Sequence, residues 1–284
     1  MANTPLQRAD QTFADIRASL GLAHRSVPLL TAPNSNVKFS KTARPVYGLA
    51  LAPHADSVRV ARAAGIEGGS NVCSHSTPAC RAFCVSYAGN GGFQRVTIAR
   101  SAKNVLLNVA PEAFYLKLER ELSAIAHLSP LVRLNTFSDL AWETIAPQLF
   151  SIDDRISFYD YTKRWARVGL DNYHLTYSAS ERTSDDEIRT MCAAGANVAV
   201  VFSPSKYRAL PTQYLGIPVA DGDMSDDRTL DPAGVIVGLR AKGKLRTAHQ
   251  RGECGGFVRN VGETAVIMRR TRNGKDIKVA EVAG

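Results

Sequence analysis

The chain has 284 residues, 45% of them hydrophobic, and a net charge of +9. That length admits one large α/β domain or two smaller ones. A mean hydropathy of -0.13 is that of an ordinary globule, and no stretch approaches the roughly 20 apolar residues a membrane helix needs. The first residues lack the basic start and apolar run of a secretory signal. The expectation is therefore a protein without a membrane partner that works in the cytoplasm, where thiols stay reduced.

In chain order, residues 1–40 read as a polar extension holding a short amphipathic helix over 11–20, with Phe13, Ile16 and Leu20 on one face. Residues 41–284 read as a single domain. Its first strand is the apolar run 44–53, ended by Pro53. Residues 54–70 are rich in small side chains and lead into a loop at 71–84. Two helices follow, over 93–109 and 111–128, with Pro111 suited to a first turn and Glu112 to the positive end of the helix dipole. Strands are expected over 132–137, 155–161, 174–178, 197–202, 217–220 and 234–239. Helical segments lie between them at 142–149, 163–168 and 185–194, the last capped by Ser184. At the end, residues 263–282 form a β-hairpin around Asn273-Gly274, a favoured two-residue turn.

Short apolar strands separated by helices predict an α/β fold with a parallel sheet. Seven strands in succession predict a complete or incomplete β/α (TIM-like) barrel with the hairpin appended. No Gly-x-Gly-x-x-Gly element follows a strand, which argues against a dinucleotide site.

Three of the five cysteines crowd into the loop, at Cys73, Cys80 and Cys84. In a reducing compartment such a group reads as metal-binding or catalytic rather than as a disulfide framework. A cubane cluster or a structural zinc takes four ligands. Cys254 is the expected fourth, because glycines beside it let the backbone pass close to a bulky inorganic group. His75 competes from within the loop, and Cys192 reads as buried filler on an apolar helix. The loop leaves six and then three residues between its cysteines, whereas zinc loops commonly use two to four. The reading is therefore an iron–sulfur cluster, most readily [4Fe-4S], with zinc as the alternative.

Sites in parallel β/α folds gather at the C-terminal ends of strands. There the sequence supplies Asn135, Ser138, Asp160, Lys163, Ser178 and Arg240 as candidate cofactor-binding residues, with Asp139, Glu181, Ser203 and Lys206 beside them. The pair Asp221 and Asp223 reads as an acidic turn bridged to Arg228 rather than as a cation site. Basic runs at 240–246 and 269–272 read as solvated surface, so a nucleic-acid partner is the less favoured alternative.

The cysteine loop resembles that of the phage-encoded gene product 88 family. So do Arg133-Leu-Asn-Thr-Phe-Ser-Asp-Leu140, Phe158-Tyr-Asp-Tyr-Thr-Lys163, Val219-Ala-Asp-Gly-Asp-Met-Ser-Asp-Asp-Arg228 and Val235-Ile-Val-Gly-Leu-Arg-Ala-Lys-Gly243. The resemblance spans about residues 40–260 and implies phage origin and fold more than reaction. A three-cysteine loop after a first strand is also similar in layout to radical-SAM barrels. This loop departs from their three-and-two spacing, and residues 135–139 replace their Gly-Gly-Glu-like element. Three functions follow as expectations: a phage iron–sulfur protein with a redox, sensing or structural role and an unidentified redox or host partner; a divergent radical-SAM-like enzyme; and a zinc-stabilised nucleic-acid-binding protein.

Overall fold

The structure is a computed structural model that describes residues 3–33, 42–204 and 209–260, and the backbone of two strands at 267–270 and 276–280. Lys206 and the Asn273-Gly274 turn lie outside the described residues. The strands are β1 (Leu30–Thr31), β2 (Val46–Leu49), β3 (Leu131–Arg133), β4 (Ser157–Thr162), β5 (Tyr173–Ser178), β6 (Asn197–Phe202), β7 (Gln213–Tyr214), β8 (Ile217–Asp221), β9 (Ile236–Arg240) and β10 (Val258–Arg259). They hydrogen-bond in the order β1-β2-β3-β4-β5-β6-β9-β8-β7, with β10 also on β6. The β2–β3, β3–β4, β5–β6, β6–β9, β8–β9 and β6–β10 ladders are parallel, and β1 on β2 and β7 on β8 are antiparallel. The fold is thus mixed α/β with a ten-stranded, mostly parallel sheet that does not close among the described residues. Two further strands, β11 (Ile267–Arg270) and β12 (Asp276–Ala280), pair antiparallel at the C-terminal end.

The chain divides into two compact units. The first holds Met1–Ser76, Cys84–Asp160 and Ala166–His174; the second holds Thr77–Phe83, Tyr161–Trp165 and Leu175–Gly284. In the first, α1 (Pro5–Ser19) packs on α4 (Gln94–Val109) and α5 (Pro111–Ile125). The expectation began this helix at residue 11. It begins earlier because the Thr4 hydroxyl accepts the Gln7 N–H (3.2 Å), the Gln7 amide oxygen accepts the Thr4 N–H (2.8 Å), and Pro5 occupies the first turn. Phe13 from α1 and Phe114, Leu118 and Leu122 from α5 are all fully buried. In the second unit, α7 (Asp185–Ala193) carries the expected Ser184 cap, completed by Glu187. It buries Ile188, Met191 and Cys192 against Val198, Val200 and Ile236.

Three local expectations differ from the structure, and one basic run takes on a defined element. Residues 54–70 contain a helix, α2 (Asp56–Ala63), whose buried face includes Asp56 and Ser57 and so lacks an apolar stripe to announce it. The second strand of the sequence reading stops at Arg133, and two residues on the Asn135 N–H is taken by the Asp160 carboxylate (2.7 Å) instead of a ladder. Residues 163–168 turn without forming a helix; the Thr162 hydroxyl accepts the Arg164 N–H (3.0 Å), a local bond that competes with helical pairing. The basic run from residue 240 enters a helix, α8 (Gly243–Gln250). No helix among the described residues is long and apolar enough to cross a membrane.

Gly69 shows how tightly the approach to the cysteine loop is packed. A Cβ there would lie 2.4 Å from the Val58 Cα and 2.6 Å from the Ser57 carbonyl oxygen, both backbone atoms. Gly69→Ala is expected to destabilise the chain by about 1–3 kcal/mol through this overpacking, read as a lower midpoint in urea unfolding. An unchanged midpoint would mean that the segment shifts freely.

Candidate functional site

All five cysteines are free thiols. In the first unit, the Cys73 N–H donates to Asn71 Oδ1 (2.9 Å) and its thiol to the Phe137 carbonyl (3.2 Å). The Cys84 sulfur lies 3.2 Å from Ser86 Oγ. Arg100 ties these surroundings together: it donates to the Ser86 carbonyl (3.0 Å), and its guanidinium stacks 4.4 Å over the Phe137 ring. Burial pulls the Arg100 guanidinium down from its usual range, while its attraction to Cys84 and Asp56 opposes that pull. A fixed cation thus stands among the groups that touch both thiols.

In the second unit, Cys80 rides on the short helix α3 (Pro78–Ala82), capped by the Thr77 hydroxyl (3.3 Å from the Cys80 N). Glu181 clamps the start of this helix, accepting from the Thr77 hydroxyl (2.7 Å) and the Ala79 N–H (3.0 Å). Burial raises the Glu181 carboxyl, but these hydrogen bonds outweigh it and hold the group below its usual range. Phe83 packs against a buried apolar cluster of Ala241, Cys254 and Val258, with Phe257 and Leu245. The segment carrying Cys80 therefore rests on the surroundings of Cys254. The glycines after Cys254 have a local reason: Gly255 and Gly256 adopt φ of +56° and +87°, the left-handed region where other side chains are strained. Cys192 sits 7% exposed in an apolar cluster, where burial pushes its thiol up. Among the described residues, no three His, Cys, Asp or Glu side chains stand together as a set that holds a metal ion.

The structure brings Asn135, Ser138 and Asp160 together in the first unit. Asp160, fully buried within β4, accepts from the Asn135 N–H (2.7 Å), the Asn135 side-chain amide (3.1 Å) and the Tyr173 hydroxyl (2.7 Å). Asn135 Oδ1 accepts from the Ser138 hydroxyl (2.8 Å), the Leu140 N–H (2.9 Å) and the Trp142 indole (3.2 Å). The Tyr173 hydroxyl accepts from Arg167 (2.6 Å), which is bidentate to Glu143 (2.9 and 2.8 Å) and reaches Asp139 (3.2 Å). Burial pushes the Asp160 carboxyl up to about 7, against the pull of Tyr173, Arg133, Asn135 and Arg167. It also pushes Tyr173 well above its usual range. Tyr173, Arg167 and Glu143 had no assigned role in the sequence reading. One signal pointed to them: a carboxylate inside an apolar strand demands buried donors.

Lys163 and Ser178 meet in the second unit, the ammonium donating to Ser178 Oγ (2.9 Å) and lying 5.8 Å from the Phe257 ring centre. Arg240 stands in a separate ion-pair group, bidentate to Asp221 (2.9 Å twice) and 3.2 Å from Asp223, which also pairs with Lys242. The expected bridge from the Asp221–Asp223 turn to Arg228 is corrected: Arg228 pairs with Asp231 (3.2 Å), and Arg240 and Lys242 neutralise the turn.

A family model described as Gene product 88 matches residues 29–260. No curated protein and no solved structure matches the chain. With well over half of its length matched, the chain belongs to the phage gene product 88 family.

Proposed function

We propose that the chain is a phage iron–sulfur protein holding a [4Fe-4S] cluster through Cys73, Cys80, Cys84 and Cys254, with a redox, sensing or structural role in the host cytoplasm. The observation that carries the reading is the packing of Phe83, flanked by Cys80 and Cys84 in the sequence, on the buried cluster that contains Cys254. Four free thiols supply the donor chemistry a cubane needs. Arg100, with its electrostatic attraction to Cys84, suits the negative charge that thiolate ligation brings. Loading requires Cys73 to leave the Phe137 carbonyl and the thiols to converge. The uninterrupted order β2-β3-β4-β5-β6 supports an incomplete barrel as the finer description of the fold.

The test is anaerobic purification with iron and zinc analysis and electron paramagnetic resonance. The expected result is a brown protein absorbing near ~400 nm with about four irons per chain. Loss of iron is expected in each of Cys73→Ala, Cys80→Ala and Cys84→Ala. A colourless chain, or one holding a single zinc, would overturn the cluster.

A further inference from the structure

Arg17 is a buried cation without a hydrogen-bond partner for its Nε. It stands in the last turn of α1 and is 8% exposed. Its guanidinium lies 5.8 Å from the centre of the Phe13 ring, which attracts a cation but leaves its N–H groups unsatisfied. Among the described residues no carboxylate pulls on it: burial, Arg25 and Arg95 all weaken its hold on its proton.

The backbone of the first unit brings these charges together. α1 closes on Gly21, at φ +74°, with the Gly21 N–H bonding the Ala18 carbonyl (2.9 Å) and the Leu22 N–H bonding the Arg17 carbonyl (2.9 Å). The chain then folds back along the helix, where His24 Nε2 lies 2.8 Å from Asp15 and the Ser26 hydroxyl donates to Asp10 (2.7 Å). Arg25, exposed, is held between these two ties. Arg95, also exposed, sits in the first turn of α4, which packs on α1. That turn has no side-chain cap and no acidic residue. The carboxylates of α1 are already taken, Asp15 by His24 and Gln11, and Asp10 by Lys117, Arg120 and Ser26. Neither Arg25 nor Arg95 enters an ion pair among the described residues.

A cation in the last turn suits the dipole of α1, which accounts for Arg17 alone. Arg95 stands at the wrong end of α4 by the same rule. Three like charges, one of them desolvated, oppose folding until an anion joins them. We propose that Arg17, Arg25 and Arg95 form a site for a phosphate dianion, free or as the terminal group of a small phosphorylated molecule. Planar guanidinium forks match phosphate oxygens through paired bonds. Arg17 is the member fixed by packing, and Arg25 and Arg95 meet the anion from the surface. None of the cysteines takes part, so the cluster reading can fail without touching this site.

The full-length chain is titrated with sodium phosphate by calorimetry, and its thermal unfolding midpoint is compared in phosphate and chloride at equal ionic strength. The original chain is expected to bind phosphate and to unfold at a higher temperature in it. Arg25→Ala and Arg95→Ala are each expected to weaken binding about tenfold, the size of one charge-assisted hydrogen bond. Arg17→Met keeps an apolar stem on Phe13. It is expected to lose binding yet unfold in chloride no earlier than the original chain, because an unpaired buried charge is gone. Arg246→Ala, at an exposed basic position on α8, is expected to bind as the original does. Should Arg17→Met fail to fold, the Arg25 and Arg95 variants decide alone. Adenosine monophosphate, titrated in the same way, identifies the source of the anion: tighter binding than inorganic phosphate assigns a phosphorylated molecule, and binding no tighter assigns the free ion. No binding of either, or an equal gain from phosphate in all four variants, overturns the site. Salt-dependent DNA binding that is lost in Arg25→Ala and Arg95→Ala, with no response to inorganic phosphate, overturns it in favour of a polyanion surface.

Discussion

Asp160→Ala is expected to lower the unfolding free energy by about 3–5 kcal/mol, the usual cost of removing one member of a buried charged network. The carboxylate is fully buried and accepts from the Asn135 backbone, the Asn135 amide and the Tyr173 hydroxyl. Truncation leaves those donors unsatisfied in a fully buried site. The damage spreads along the chain of bonds, because Asn135 also holds Ser138, Leu140 and Trp142. Asp160→Asn keeps one acceptor and the shape, so it is expected to cost less than half as much. Urea unfolding followed by fluorescence reads both. Equal losses for the two variants would mean that the carboxyl itself matters and the shape of the side chain does not.

The same residue sets a pH dependence. Its carboxyl is raised to about 7 by burial, against an ordinary value of 3.8. The folded state therefore binds this proton more tightly than the unfolded state does. Its contribution is fully present below about pH 4 and is lost as pH rises through about 7. The groups facing it are Tyr173 on β5, Arg133 on β3, Asn135 beyond β3 and Arg167 before β5. The stability difference between the original chain and Asp160→Asn is expected to shrink steadily from pH 5 to pH 8. A difference that stays constant over that range would show that the carboxyl does not titrate there.

Residue patterns within about one turn or one strand were legible in the sequence. Ser184 announced α7, Pro111 announced α5, and the apolar run from residue 197 gave β6 its bounds. Sheet order was not legible beyond succession. β9 lies between β6 and β8, so the last two long strands are exchanged relative to their order in the chain. Adjacency of that kind is decided by packing between distant segments, which no local window contains. The same distinction holds at the candidate site. Asn135, Ser138 and Asp160 were read individually as strand-end polar residues, but Tyr173 stands 13 residues from Asp160 and Arg167 stands 24 from Glu143. The glycines beside Cys254 were read as room for an inorganic group, whereas Gly255 and Gly256 are required by left-handed backbone angles. Glycine patterns report backbone freedom without reporting what uses it. His249, whose Nδ1 lies 3.5 Å from the Cys254 sulfur, went unread because a contact across a helix end follows no apolar period.

Arg167→Leu is expected to cost about 3–5 kcal/mol as well, for a complementary reason. The guanidinium is buried, bidentate to Glu143, within 3.2 Å of Asp139, and a donor to Tyr173. Burial alone would lower its affinity for its proton, yet Glu143, Tyr173 and Asp160 together hold it above the usual range. Removing it leaves two largely buried carboxylates facing each other without a cation, which is costlier than losing the attraction alone. Arg167→Lys is expected to recover little, because an ammonium cannot serve Glu143 through two parallel bonds and Tyr173 at once. Pairing Arg167→Leu with Glu143→Gln separates the two costs. If the burden is the uncompensated carboxylate, the double variant is expected to be more stable than Arg167→Leu by about 1 kcal/mol or more. Additive losses from the two substitutions would show that the guanidinium acts mainly through Tyr173, and would join its role directly to the Asp160 end of the network.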